Sequence, residues 1–412
     1  MSASPTPCRL CAAPLRIPFV DLGLSPLANA YLSADDLERE ETFYPLRVYV
    51  CERCLLVQLP VFARPEEIFG DYAYFSSYSD SWLEHARRYA EAASTRFGLD
   101  RTSQVVEVAS NDGYLLQYFR AHGIPVLGVE PARNVAAAAE ERGIPTVVEF
   151  FGAELADGLV RDGHAADLVV ANNVLAHVPD VHDFVEGVSR VLKPAGIVTM
   201  EFPHLLRLLA ERQFDTIYHE HFSYFTLLVV EHLFAEHGLR LFDVEEVPTH
   251  GGSLRIYATH AGASPEPTAR LRDVRRREQE AGLDRVEGYL GFEEAVRAVK
   301  RDLLGFLIEA KRDGRSVVAY GAAAKGNTLL NYCGIRADFV DYVVDRSPHK
   351  QGLFLPGTRL PIVPPERTRE TRPDFLLILP WNLKEEIIEQ MSYVRAWGCR
   401  FVVPVPEVAL VD

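Results

Sequence analysis

The chain reads as an α/β protein in three parts: a small metal-organised lobe, then two layers of parallel sheet and helix. Three observations predict this. Two Cys-x-x-Cys pairs, Cys8/Cys11 and Cys51/Cys54, lie close together near the N-terminus. Apolar runs alternate with helical patterns between Gln104 and Glu201, as buried parallel strands and their crossover helices do. A second strand, turn and helix, Ser316-Val317-Val318-Ala319-Tyr320-Gly321 running into Ala322-Ala323-Ala324-Lys325-Gly326, opens the last third.

At 412 residues the chain exceeds one ordinary domain, and boundaries are expected to give parts at 1–70, 71–262 and 263–412. A hydrophobic content of 48% with 25% charged residues is that of a soluble globular protein, with disorder expected only in the first few residues. The formal net charge of -15 opposes non-specific attraction to nucleic acid or to an anionic membrane. No apolar run approaches the roughly 20 residues that span a bilayer, and the N-terminus lacks a secretory pattern, so a cytoplasmic protein is expected.

Four thiols in two such pairs suit a tetrahedral zinc ion. A shell of four thiolates leaves no open position for water, so the metal is expected to be structural. Chance pairs or two disulfides compete with this reading, but two Cys-x-x-Cys pairs in one short polar segment rarely coincide. The lobe from Cys8 to about Gln58 carries a long insert that includes Leu24-Ser25-Pro26-Leu27-Ala28. It holds too few apolar residues to fold alone, and metal binding supplies the missing folding energy. Cys333 and Cys399 sit in apolar contexts and are expected to pack as small hydrophobes.

In the middle part, Val105 to Ala109, Val126 to Val129, Thr146 to Val148, Leu168 to Ala171 and Ile197 to Met200 read as short buried strands. Right-handed crossovers between them give a doubly wound, Rossmann-like layer. Leu254 to Ala258 is one more strand, and the stretch from about Pro267 to Lys311 reads as a charged helical segment with a solvated face. Strand candidates Phe339 to Val344, Phe375 to Leu379 and Phe401 to Val403 complete a second α/β layer.

The first strand enters a tight turn, Ala109-Ser110-Asn111-Asp112-Gly113, where backbone amides and a small residue allow close approach of a ligand. With one glycine it does not match the three-glycine dinucleotide fingerprint. About twenty residues on, Glu130 ends the second strand, where a carboxylate accepts hydrogen bonds from ribose hydroxyls. Phe150-Phe151 are placed to flank a purine, and Asn172 ends the fourth strand beside the same crevice.

Here the sequence resembles the class I S-adenosylmethionine-dependent methyltransferases. The Glu107-x-x-Ser-Asn-Asp-Gly form, Glu130 and Leu192-Lys193-Pro194-Ala195-Gly196 match that superfamily's ordered motifs, with Ala109 where a glycine is usual. The resemblance implies cofactor contacts from Glu107, Asn111, Gly113, Glu130, Phe150 and Asn172, with Glu130 on the ribose.

Downstream, Ile217-Tyr218-His219-Glu220-His221-Phe222-Ser223-Tyr224-Phe225 packs a carboxylate, two imidazoles and two phenols into one short segment. On a strand His219 and His221 would face one way and Glu220 the other, whereas a loop would let all three converge. A lone His-x-His is a poor metal pair, and His219 reads as a solvated loop histidine.

The whole chain resembles the nucleotide-sugar C-methyltransferases of bacterial antibiotic and surface-polysaccharide pathways. The resemblance rests on the knuckles, the methyltransferase motifs, the Tyr-x-Glu-His block, His250-Gly251-Gly252 and the C-terminal Gly-Ala-x-x-Lys in that order. It implies a cytoplasmic enzyme, taken as a monomer, that uses S-adenosylmethionine and a structural Zn2+ and acts on no nucleic acid or membrane. The substrate it implies is a nucleotide-linked 4-ketodeoxysugar, methylated at a carbon beside the ketone, commonly C3.

Residue by residue, the family's active-site groups fall on Tyr72, His177, Tyr218, Glu220 and His221. A carbon becomes nucleophilic only when a base removes its proton and the neighbouring ketone holds the charge as an enolate. His221 is the candidate base, with Glu220 orienting it or serving as the alternative base. Tyr72, Tyr218 or His177 is then the donor to the enolate oxygen. Substrate contacts are expected from Tyr74, from His250 in the interdomain cleft, and from Lys325 and Lys350 beside a helix N-terminus suited to a diphosphate. An O- or N-methyltransferase and a non-catalytic nucleotide-binding module are the competing readings.

Overall fold

A computed structural model describes residues 6–62, 76–78 and 80–411. The knuckles frame a four-stranded antiparallel sheet made of β1 (Ile17–Ser25), β2 (Tyr44–Val50), β3 (Val57–Gln58) and, from far along the chain, β9 (Ser223–Tyr224), in that order. Alternation decides which face of β2 is hidden: Leu46, Val48 and Val50 are buried while Arg47 points out.

Phe19, Leu46 and Val48 belong to one apolar cluster with the C-terminal layer, and Phe19 stacks on Phe292 at 4.7 Å between ring centroids. Cys8, Leu10 and Leu56 instead join the core of the middle layer. The lobe therefore lacks a core of its own but borrows one from each neighbour. Metal binding is not its only source of folding energy, which corrects the expectation from composition.

The middle layer begins with α1 (Asp80–Phe97), followed by β4 (Val105–Val108), α2 (Leu116–Ala121), β5 (Val126–Val129), α3 (Arg133–Glu141) and β6 (Thr146–Val147). It continues through α4 (Ala153–Arg161), β7 (Ala166–Asn172), α5 (Val181–Val191) and β8 (Leu192–Pro203). Then come α6 (Leu205–Ala210), α7 (Leu227–Glu236), β10 (Leu239–Val247), β11 (Ser253–His260) and α8 (Ala269–Glu280). The sheet order is β10-β11-β8-β7-β4-β5-β6. Strands β8, β7, β4, β5 and β6 run parallel, and β11 pairs antiparallel with β8 and β10. The order reverses between β4 and β7, which opens a crevice at their carboxyl ends.

The charged stretch from Pro267 to Lys311 is not one helix. It divides into α8 and α9 (Phe292–Arg312) across a loop in which Gly282 and Gly291 take φ of 78° and 90°. Nor is α8 wholly solvated, because Glu278 is buried on it. Its carboxylate accepts from the amides of Leu227 (2.6 Å) and Leu228 (3.0 Å) at the start of α7 and lies 2.7 Å from His204 Nε2.

The last layer holds α10 (Ala324–Cys333) and six strands: β12 (Val317–Tyr320), β13 (Val343–Val344), β14 (Ile362–Val363), β15 (Phe375–Ile378), β16 (Arg400–Val403) and β17 (Ala409–Val411). Its order is β14-β13-β12-β15-β16-β17, parallel except for β17. Cys333 and Cys399 are buried thiols in this layer. Among the described residues no helix is long and apolar enough to cross a membrane.

Candidate active site

The turn after β4 is built on left-handed backbone. Ala109 has φ 56° and Asn111 φ 49°, and Asn173 just past β7 has φ 55°. Ala109 thus takes the conformation that a glycine would, at a cost of about 1 kcal/mol, so the missing glycine does not prevent the turn. A Cβ on Gly113 would lie 2.8 Å from Ile144 Cγ1, and one on Gly128 would collide with Ser110 Oγ. Both glycines permit close packing beneath the crevice.

Glu130 is buried at the end of β5. Its carboxylate accepts from the amides of Asn111 (3.0 Å) and Ala132 (2.9 Å), which leaves each oxygen further acceptor capacity. Burial raises its pKa against those two bonds. Glu107, fully buried on β4, is held well above the ordinary carboxylate range by desolvation and by the nearby Glu130 and Asp112. Among the described residues the buried Asn172 Oδ1 and Ser110 Oγ have no hydrogen-bond partner. Polar acceptors gathered at the ends of β4, β5 and β7 fit the ribose and amino-acid ends of S-adenosylmethionine. Phe150 is 47% exposed beyond β6, whereas Phe151 turns into the core at 5.6 Å from Phe184, so the two rings do not act as a pair. Asn111 Oδ1 accepts from the Ser76 amide (2.9 Å), which straps residues 76–78 over the same loop.

The four knuckle sulfurs lie within 4.8 Å of one another, with Cys8–Cys54 at 3.5 Å and Cys11–Cys51 at 3.4 Å. Zinc–sulfur bonds of about 2.3 Å give a tetrahedron with edges of about 3.8 Å, which this cluster fits. All six cysteines are free. The two knuckles repeat one turn: Ala12 N donates to Cys8 O (2.9 Å) and Leu55 N to Cys51 O (3.0 Å), with φ of 57° at Ala12 and 63° at Leu55.

The segment from Tyr218 to Phe222 is a loop docked on two neighbours. Phe222 N donates to Ala176 O (2.8 Å), Leu59 N donates to Phe222 O (2.9 Å), and β9 then pairs with β3. His221 Nδ1 lies 2.7 Å from the Thr216 carbonyl. A carbonyl only accepts, so Nδ1 carries the proton and Nε2 the lone pair. The ring lies 4.7 Å from that of His177 and 4.1 Å from that of Tyr218. Burial, reinforced by His177, His250 and Lys325, holds the His221 pKa well below the ordinary histidine value. His177 is pushed down to about 4 by burial.

Glu220 does not orient His221. It accepts from Asn29 Nδ2 (2.6 Å), which reaches in from the insert between the knuckles, and burial pushes its pKa up to about 7. His219 is likewise no solvated residue: it is buried, edge-on to Tyr44 at 5.7 Å, with Nε2 3.3 Å from Pro45 O. Tyr72 and Tyr74 lie outside the described residues.

Across the cleft, Lys325 Nζ donates to His250 O (3.2 Å) and Asn382 Oδ1 (3.1 Å) and sits 4.8 Å over the Trp381 ring. Burial lowers its pKa to about 8. Trp381 Nε1 donates to Asp215 Oδ2 (2.7 Å), one residue before the carbonyl that holds His221. Lys350 donates to Ala322 O (2.8 Å) and lies over the Tyr31 ring at 5.3 Å. The two lysines therefore flank the Gly321 to Ala324 loop but serve different partners; the N-cap residue Ala323 makes no side-chain cap on α10, and Asp345 Oδ2 accepts from Ala322 N (2.8 Å) just before it. The His250 ring packs edge-on to Trp82 at 5.6 Å, and Trp82 stacks on Tyr114 and on His85, which lies 3.0 Å from Glu201.

Asn29, Trp82, Trp381 and Asp215 are the site residues that sequence reasoning missed. Two of them are among the chain's 3 tryptophans, the one compositional hint to their place.

Comparison with known proteins follows the same three parts. A zinc binding domain matches residues 8–69, a methyltransferase domain residues 82–244, and a C-methyltransferase C-terminal domain residues 248–406. The C-methyltransferase NovU of Streptomyces niveus is 39% identical over 403 residues, which cover 97% of this chain and 95% of that protein. A ubiquinone biosynthesis O-methyltransferase of Rhizobium johnstonii is 26% identical over 120 residues, 29% of this chain and 47% of that enzyme. Among solved structures, the PH0226 protein of Pyrococcus horikoshii OT3 shares 16% identity over 48% of this chain and 99% of its own, with a TM-score of 0.37. The match to NovU covers nearly the whole of both chains. The chain belongs to the family of S-adenosylmethionine-dependent C-methyltransferases that includes NovU.

Proposed function

We propose that this C-methyltransferase acts on a nucleotide-linked 4-ketodeoxysugar, at the carbon beside the ketone and with C3 as the expected position, and that His221 is its base. The observation that carries this reading is the fixed tautomer of His221, with its lone pair on Nε2, packed against His177 and Tyr218. S-adenosylmethionine supplies an electrophilic methyl group. The protein's task is to make the accepting carbon a nucleophile. His221 Nε2 takes the carbon's proton while the electron pair moves onto the ketone oxygen, and His177 or Tyr218 donates a hydrogen bond to that oxygen. Such a donor is worth about a hundredfold or more. By resemblance Tyr72 shares this role. Glu220, held near neutral pH, is the alternative base.

Glu107, Asn111, Gly113, Glu130, Phe150 and Asn172 are proposed to hold the cofactor. Lys350, which faces Asp345 at the loop before α10, is proposed to meet the diphosphate, and Lys325 and His250 the sugar.

A panel of keto-sugar nucleotides assayed with labelled methyl donor tests the substrate: the product should carry its new methyl on carbon, and methylation on oxygen or nitrogen would contradict the proposal. His221→Ala or His221→Asn should lower kcat by about a hundredfold or more while S-adenosylmethionine affinity stays within about twofold. Turnover near the wild-type rate would remove His221 as the base.

A further inference from the structure

Arg9 lies inside the first knuckle, between Cys8 and Cys11, a position where an arginine ordinarily points to solvent. Here the side chain turns inward. Its backbone amide donates to Gln58 Oε1 (2.9 Å), and Gln58 Nε2 in turn donates to Cys8 Sγ (3.0 Å), which fixes the base of the side chain against the metal cluster. Beyond that point Nη2 donates to Leu59 O, Nη1 donates to Pro179 O (3.3 Å), and the guanidinium rests 5.5 Å from the centroid of the Phe222 ring. Those three contacts fall on three segments: the strand end after the second knuckle, the loop two residues past His177, and the residue next to His221. The same segments are stitched by Leu59 N to Phe222 O and Phe222 N to Ala176 O.

We infer that Arg9 is a positioning residue that ties the zinc knuckle to the loops bearing His177 and His221 and so sets the geometry of the two imidazoles. The inference rests on the reading of His221 as base. Arginine suits the task because its planar fork addresses two carbonyls and a ring face at once, which a lysine ammonium does not. Cys8 and Cys11 hold its backbone from both sides, so Arg9 adds a side-chain link from the metal cluster to the backbone pairing that already joins β3 to β9.

The test uses full-length, zinc-replete Arg9→Met. Expected are unchanged zinc content, S-adenosylmethionine affinity within about twofold by calorimetry, a kcat lower by roughly ten- to a hundredfold, and shifted His177 and His221 ring signals in histidine-labelled NMR spectra. Arg9→Lys should recover part of the rate. Phe222→Leu removes the ring under the guanidinium, and its effect combined with Arg9→Met should fall short of the product of the two alone. Wild-type kcat and histidine spectra in folded Arg9→Met overturn the inference, as does a loss of zinc and cofactor binding in step with kcat, which would make Arg9 a part of the knuckle only. If Arg9→Met does not fold, Phe222→Leu decides: shifted histidine signals with zinc intact support the role, and unchanged signals refute it. If His221→Ala abolishes turnover while Arg9→Met is normal, only this inference fails; if both turn over normally, the base assignment fails.

Discussion

His221 and Glu220 are adjacent in sequence, yet their surroundings drive them apart. Burial removes the stabilisation of whichever form is charged, so the imidazole is pushed well below its ordinary pKa and the carboxyl up to about 7. The rate rises as the base loses its proton. With His221 as base, the acid limb of the kcat/KM profile should therefore lie below pH 6.5; a limb near 7 would point to Glu220. Stability gives an independent check. A carboxyl whose pKa is raised in the folded state contributes stability at low pH that is lost as pH climbs from about 4.5 to about 7. Glu220→Gln removes that dependence, so relative to wild type it should gain up to about 3 kcal/mol between pH 4.5 and 8 in denaturant titrations. The density of the Tyr-x-Glu-His block made these residues legible in the sequence. Asn29 was not, because what marks it is a contact with a residue 191 positions away, and no local pattern encodes that.

The strand ends carry the proposed cofactor crevice, and they were legible for a simple reason. Strands buried on both faces must be continuous apolar runs, and β4, β5 and β7 each lie within or across the expected segment. The turns between them depend on contacts that only the fold creates. Gly128 is flat against Ser110, so Gly128→Ala should displace the loop after β4 and weaken S-adenosylmethionine binding at least about tenfold, by calorimetry, while the circular dichroism spectrum persists. Unaltered affinity would separate that loop from the cofactor. The division of 267–311 into α8 and α9 was hidden because charged and apolar residues keep a helical rhythm on both sides of the break. The glycines at 282 and 291 mark it, but a lone glycine is tolerated in many helices. Likewise Glu278 reads as one more surface charge until α7 presents its unmet amides to it.

The three parts share their cores rather than standing side by side. The knuckle lobe gives apolar residues to the core of each Rossmann-like layer, and through β9 it takes the loop bearing His221 as its fourth strand. The C-terminal layer closes the cleft from the other side with Lys325 and Trp381, the latter bonded to Asp215 beside the carbonyl that orients His221. Order along the chain was readable from composition and motif; this convergence was not, because it joins residues from every part at one place. On the proposed reading this convergence serves to ionise a carbon acid among buried side chains. Incubating the enzyme with the proposed keto-sugar nucleotide in heavy water, without methyl donor, measures that step alone. Mass spectrometry should show deuterium entering the carbon beside the ketone with wild type and at least about a hundredfold more slowly with His221→Ala. Failure of wild-type enzyme to exchange that proton, or exchange at an undiminished rate in the variant, would contradict the account.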